Sequence, residues 1–123
     1  MPVREARILE AHRQSTEATL QDVVRFLDET LGRALTAHIA AVDPRTVARW
    51  IGGDAVRSAD TERRLRLAYN IFVLLQKKDS PHTVRAWFIG LNPQLDDMSP
   101  AEALHQGKER KVLTAAKSFA LGG

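Results

Sequence analysis

At 123 residues the chain has the length of one domain, and 44% hydrophobic with 27% charged residues excludes disorder along its whole length. The longest apolar run, Ile71 to Leu75, is far short of the roughly 20 residues that cross a bilayer, so no membrane partner is expected. Absence of cysteine excludes disulfide scaffolds, thiolate zinc sites and cysteine nucleophiles, and 18 Lys+Arg against 15 Asp+Glu, a net charge of +3, allows a nucleic-acid partner without demanding one.

The N-terminus, Met1-Pro2-Val3-Arg4-Glu5, lacks the apolar core of a signal peptide, which predicts a cytoplasmic protein. Pro2 to Gln14 reads as an arginine- and glutamate-rich helix with Val3, Ile8 and Leu9 as its large apolar residues. A helix of that length needs a partner surface, on the domain or on a second copy. Thr19 with Asp22 forms an N-terminal capping pattern. After it, Leu20, Val23, Val24, Leu27 and Leu31 lay an apolar stripe along a helix that Gly32 ends. A short helix is expected over Leu35 to Val42, with Ile39 and Val42 inward. Asp43-Pro44 caps the next, which runs to about Ile51 and stops at Gly52-Gly53.

The segment Gly52 to Ala59 is the connection long enough to act as a joint. Asp60-Thr61-Glu62 then opens the longest helix, to about Lys77, with Leu65, Ala68, Tyr69, Phe72 and Leu75 inward and Ile71 and Leu74 widening the stripe. So wide a stripe predicts the central element of the core. Ser80-Pro81 starts a helix carrying Val84, Trp87 and Phe88 that ends at Gly90. Ser99-Pro100-Ala101-Glu102 caps a short helix to Gln106-Gly107, and Lys108 to Ala120 forms the last one. No stretch alternates with period two for long enough to claim a strand, so the fold class is all-α. The chain divides into an N-terminal arm (1–15), a region of paired short helices (16–58) and a long core helix with the C-terminal helices (59–123).

The stretch Ala34 to Ile51, ALTAHIAAVDPRTVARWI, can be read as a helix-turn-helix. Ala37 is the small residue that lets two helices approach, and Ala41-Val42 supply a small turn residue and an apolar plug. Asp43 and Val47 supply the cap and the inward β-branched residue. The outer face then presents Arg45, Thr46 and Arg49 as candidate DNA-binding residues, joined by Arg57. Thirteen of the basic residues are arginine, the side chain suited to forked recognition of phosphate or guanine, and six lie between Arg45 and Arg66 against three acids. From the residues alone, two packed helices with solvated arginines fit equally well. Thr46-Val47-Ala48-Arg49-Trp50 resembles the T-V-x-R-W of phage-repressor-like Xre/Cro proteins. That family usually has glycine where Ala41 stands, because the turn favours a left-handed backbone.

From Val84 onward the chain reads VRAWFIGLNPQLDDMSPAEALHQGKERKVLTAAKSFALGG. Trp87, Asn92, Leu95, Pro100, Leu104, Gly107, Val112 and Leu113 resemble the spacing of the Xre/MbcA/ParS toxin-binding domain. With the helices upstream, the chain resembles an antitoxin of the RES–Xre toxin–antitoxin family. The resemblance implies a helical bundle with an N-terminal helix-turn-helix half and a C-terminal toxin-binding half. It also implies occlusion of the active site of a cognate RES-domain, NAD-degrading toxin, autoregulation through operator DNA, and no cofactor of the chain's own. A homodimer is expected, because helix-turn-helix proteins read paired half-sites. The toxin-binding candidates are Trp87, Asn92, Lys111, Lys117, Ser118, Leu121, Gly122 and Gly123. On their own, Trp87 is more simply core, Asn92 a turn residue and Gly107 a helix C-cap.

Enzyme activity is not expected. His12, His38, His82 and His105 are scattered with no i, i+4 pair, so no metal site is expected, and Asp96-Asp97 are adjacent loop carboxylates that face apart. No G-x-S-x-G, Walker loop or G-x-G-x-x-G is present. Two other readings compete with the antitoxin: a stand-alone DNA-binding regulator whose C-terminal module oligomerises, and an adaptor that keeps the fold without DNA binding.

Overall fold

Local capping chemistry sets most helix starts. In a computed structural model, which describes residues 18–122, Thr19 accepts a hydrogen bond from the Asp22 N–H and opens α1 (Leu20–Thr30). Helix α2 (Arg33–Ala40) follows after Gly32, whose φ of 94° lets the chain reverse directly into it. Asp43 accepts from the Arg45 N–H and opens α3 (Pro44–Ile51), with proline at the first position as expected. Helices α4 (Ala59–Leu75), α5 (Pro81–Ile89), α6 (Pro100–His105) and α7 (Glu109–Ala120) complete the set. Ser80 and Ser99 cap α5 and α6 through their side-chain oxygens.

The all-α expectation holds: among the described residues there are seven α-helices, one 3₁₀ turn (Pro93–Leu95) and no strand, with an isolated Asn92–Met98 bridge. None of these helices is long and apolar enough to cross a membrane. The helix expected over Pro2 to Gln14 lies outside the described residues.

Two helices differ from expectation at both ends. Helix α2 begins at Arg33 and ends at Ala40, two residues earlier than Val42 at its C-terminal end. Val42 therefore plugs the turn, packed on the core but half-buried. Helix α4 is capped by Ser58, not Asp60; the Ser58 hydroxyl accepts from the Thr61 N–H at 3.3 Å, and Asp60 and Glu62 fall in the first turn, where the helix dipole favours them. At its other end α4 stops at Leu75, and Lys77 and Lys78 form a turn that donates back to Leu74 and Leu75.

Helix α4 is the central element. It packs on α1, α2 and α7, and Leu65, Ala68, Tyr69, Ile71, Phe72, Val73 and Leu75 are all buried along it. Phe72 is fully buried and meets Phe26 edge-on at 5.2 Å and Phe88 in a stack at 6.1 Å. The buried side chains form one contiguous cluster from Val23 to Ala116. It draws on every described helix, so α1–α3 and α5–α7 share an apolar interior.

Candidate functional site

The α2–α3 pair is held with its outer face open. Ala37 and Val47 are buried where the two helices meet, and Trp50 is buried behind them. The Gln21 side-chain amide donates to the Ile51 carbonyl at 2.8 Å, fixing the end of α3 against α1. The turn is a Schellman closure in which Ala41 N–H donates to the His38 carbonyl and Val42 N–H to the Ala37 carbonyl. Ala41 takes φ 59° and ψ 45°, the left-handed conformation expected at this position. A residue with a Cβ pays roughly 1–2 kcal/mol there. Gly107, with φ 80°, occupies the equivalent place after α6 without that penalty.

Thr46, Arg49 and Arg57 line one cleft of about 380 Å³ with Val42, Trp50 and Asp54. Arg45 stands apart from that lining on the exposed start of α3. The cationic side chains are lightly tethered. Arg45 lies 3.4 Å from Asp43 and Arg49 lies 3.8 Å from Asp54, both pairs being largely exposed, while Arg49 also donates to Thr46 at 3.1 Å. Exposed pairs of this kind contribute little stability and exchange readily for other anions.

The remaining arginines of the 45–66 cluster brace the fold. Arg63 pairs with Glu109 at 2.9 Å and Asp60 at 2.7 Å, which hold its guanidinium pKa up. Arg64 donates to the His105 carbonyl at 3.3 Å, and Arg66 donates to the Ala18 carbonyl at 3.0 Å and pairs with Glu62. Clustering in sequence thus divides in space into an outward set on and after α3 and a bracing set on α4.

The C-terminal candidates form a partial surface. Trp87 is half-buried, edge-on to Phe88 at 5.3 Å and tilted against Phe119 at 6.1 Å. Trp87, Leu91, Asn92 and Phe119 line a shallow cavity of about 320 Å³. Of its lining, Leu91 is 78% exposed, and elsewhere in the C-terminal third Ile89 and Leu121 are 47% and 86% exposed. Asn92 caps the 3₁₀ turn, its side-chain oxygen accepting from the Gln94 N–H at 2.9 Å. Its structural role is therefore the turn role that asparagine fills, while one edge remains at the cavity. Ser118 accepts from the Gln94 amide at 3.1 Å, which ties α7 to the same turn. Lys111 and Lys117 are exposed on α7 but do not line the cavity. Six residues apart, they point about 120° from each other on a regular helix. Gly122 is exposed, and Gly123 lies outside the described residues.

One cluster is not legible from spacing. His38 on α2 and His105 at the end of α6 stack with ring centroids 4.1 Å apart and planes 11° apart, although 67 residues separate them. His38 Nε2 hydrogen-bonds Glu102, whose other oxygen accepts from the Gln106 amide at 3.1 Å. The His38 and Gln106 hydrogen bonds hold the Glu102 carboxyl below its ordinary pKa range. His105 Nδ1 donates to the His38 backbone carbonyl at 2.7 Å. The only sequence signal is Glu102 three residues before His105, which reads first as the third position of a capping box. The packing of α2 on α6 brings His38 to them.

Neither the protein-family models, the curated proteins nor the solved structures match this chain.

Proposed function

We propose that the chain is an antitoxin of the Xre/MbcA/ParS type: it binds a RES-domain, NAD-degrading toxin through its C-terminal helices, covers the toxin's active site, and represses its own operon through α3. The observation that carries this reading is the presence of two outward surfaces with no lining residue in common. One is the cleft of Thr46, Arg49 and Arg57, with Arg45 beside it; the other is the apolar cavity of Trp87, Leu91, Asn92 and Phe119.

The first surface suits an anionic polymer. Helix α3 has its apolar side buried on Val47 and Trp50 and its outer arginines free to exchange their exposed carboxylates for phosphates. A forked arginine on a guanine edge is worth about 1–3 kcal/mol of discrimination. The second surface suits a protein. Exposed Leu91 beside the half-buried Trp87 offers an apolar centre for an interface, and Leu121 at the end of α7 is a further exposed apolar side chain. No residue here is assigned to catalysis, and the NAD chemistry belongs to the toxin.

Co-expression with the RES-domain protein of a neighbouring gene tests the reading directly. Rescue of growth, with a stable complex on gel filtration, is the expected result; failure of rescue together with self-association through the Trp87 surface would instead favour a stand-alone regulator whose C-terminal helices oligomerise.

A further inference from the structure

We infer that His38, Glu102 and His105 form a binding site for one divalent transition-metal ion of the zinc class, which fastens α2 to α6. The site rests on its own geometry and stands whether or not the proposed function holds.

Three observations carry it. First, the three side chains each offer a ligand atom, all within 4.8 Å of one another, on two different helices. Second, two of the three donors, His105 and Glu102, are each held by a further hydrogen bond, as metal ligands are. The His105 Nδ1–H is held by the His38 carbonyl, which leaves Nε2 as the lone-pair nitrogen, and the Gln106 amide holds one Glu102 oxygen while the other faces His38. A ligating histidine characteristically gives its second N–H to a carbonyl in this way. Third, the Arg64 guanidinium donates to the His105 carbonyl, so the backbone at the end of α6 is fixed from α4 as well.

The hydrogen bond between His38 and Glu102 engages one imidazole and leaves the second stacked against it with no carboxylate of its own. A metal ion engages both once the stack opens. Two imidazole nitrogens and one carboxylate oxygen match the donor preference of Zn²⁺, with water completing a tetrahedron, and the chain has no thiolate to compete.

Binding requires a defined movement. Metal–ligand bonds of about 2.0–2.1 Å place tetrahedral ligands roughly 3.3 Å apart. The lone pair of each imidazole lies in its ring plane, so two near-parallel rings cannot share one ion. His105 is held by its carbonyl anchor, so His38, whose side chain is 44% exposed, is the ring that turns. The stack opens, and the His38–Glu102 hydrogen bond is exchanged for bonds from both groups to the ion. Because α2 runs straight into the turn that aims α3, the ion links the direction of α3 to the C-terminal helices.

The test is calorimetric titration of metal-stripped full-length protein with ZnCl₂, paired with thermal melts with and without the ion. One Zn²⁺ per chain and a rise in Tm are expected, since an ion that binds the folded state alone stabilises it. His38→Gln keeps a hydrogen-bond donor toward Glu102 and so preserves the fold; it and His105→Ala should each weaken binding at least about 10-fold and remove the rise in Tm, and Glu102→Gln should weaken it about 10-fold. His82→Ala, on α5, should change nothing. Absence of saturable uptake by the parent chain overturns the proposal. So does undiminished uptake by folded His38→Gln and His105→Ala, which would place the ion on other donors.

Discussion

The outer face of α3 and the surface around Trp87 are both exposed, but exposure means different things in the two places. On α3, solvent contact is the ordinary state of arginine, and the neighbouring carboxylates of Asp43 and Asp54 are loose partners. Beside Trp87 the exposed group is Leu91, with Ile89 and Leu121 exposed elsewhere in the C-terminal third, and transfer of such side chains out of water is favourable by about 25 cal/mol per Å². A charged face therefore says little until an anion arrives. Apolar side chains left in water, by contrast, are unfavourably placed whether or not anything is bound. The two surfaces also differ in support. Helix α3 is anchored by Val47, Trp50 and the Gln21 amide, whereas the Trp87 surface is assembled from α5, a 3₁₀ turn and the end of α7.

Removing what the two surfaces share should have the largest effect. Phe72→Ala empties a fully buried site between Phe26 and Phe88 and should cost about 3–5 kcal/mol in urea unfolding, with loss of both DNA and partner binding. Loss of only one activity would show that the surfaces do not depend on a common core.

The next variants separate the surfaces. Arg45→Ala with Arg49→Ala should abolish operator shifts in gel-mobility assays and leave toxin neutralisation intact. Residual non-specific binding should show a log–log salt slope lower by roughly 1.8, because two phosphates are no longer neutralised. Leu91→Asp should do the reverse: partner affinity falls about 10-fold or more by calorimetry, stability stays within about 0.5 kcal/mol because the side chain is 78% exposed, and DNA binding is unchanged. A smaller loss of neutralisation, with an unchanged melting temperature, is expected when residues 121–123 are deleted, since Leu121 is 86% exposed.

Ala41→Gly has the smallest effect and the opposite sign. Relief of the left-handed strain, about 1–2 kcal/mol, is offset by the extra freedom glycine gives the unfolded chain, so a net stabilisation of up to about 1 kcal/mol is expected in urea titrations. Operator affinity should stay the same or rise, because the turn geometry is already the one glycine prefers. A destabilised Ala41→Gly protein would show that the alanine methyl group contributes packing that outweighs the strain.

Much of this architecture is written locally. Thr19, Asp43, Ser80 and Ser99 can be recognised as caps because a capping side chain bonds backbone groups two or three residues away, a relation the sequence preserves. The buried stripe of α4 is equally legible, since helical period places Leu65, Ala68, Tyr69 and Phe72 on one side whatever packs against them. Ser58 does not stand out as the cap of α4 because Asp60 offers the same chemistry two residues on, and only the hydrogen bond to Thr61 decides between them. Thr46, Arg49 and Arg57 can be grouped by sequence, since α3 and the segment after it carry all three.

Sequence by itself thus determined the seven described helices, the capped starts of four of them and the inward face of the central one, because caps and periodicity act over a few residues. Tertiary structure decided which polar residues meet. It sent Arg63, Arg64 and Arg66 to brace α4 while Arg45, Arg49 and Arg57 stayed outward, and it set Trp87 against Phe119. It also brought His38 to Glu102 and His105 across 64 and 67 residues. Contacts at that separation follow from how helices pack, and the spacing of residues along the chain carries no record of them.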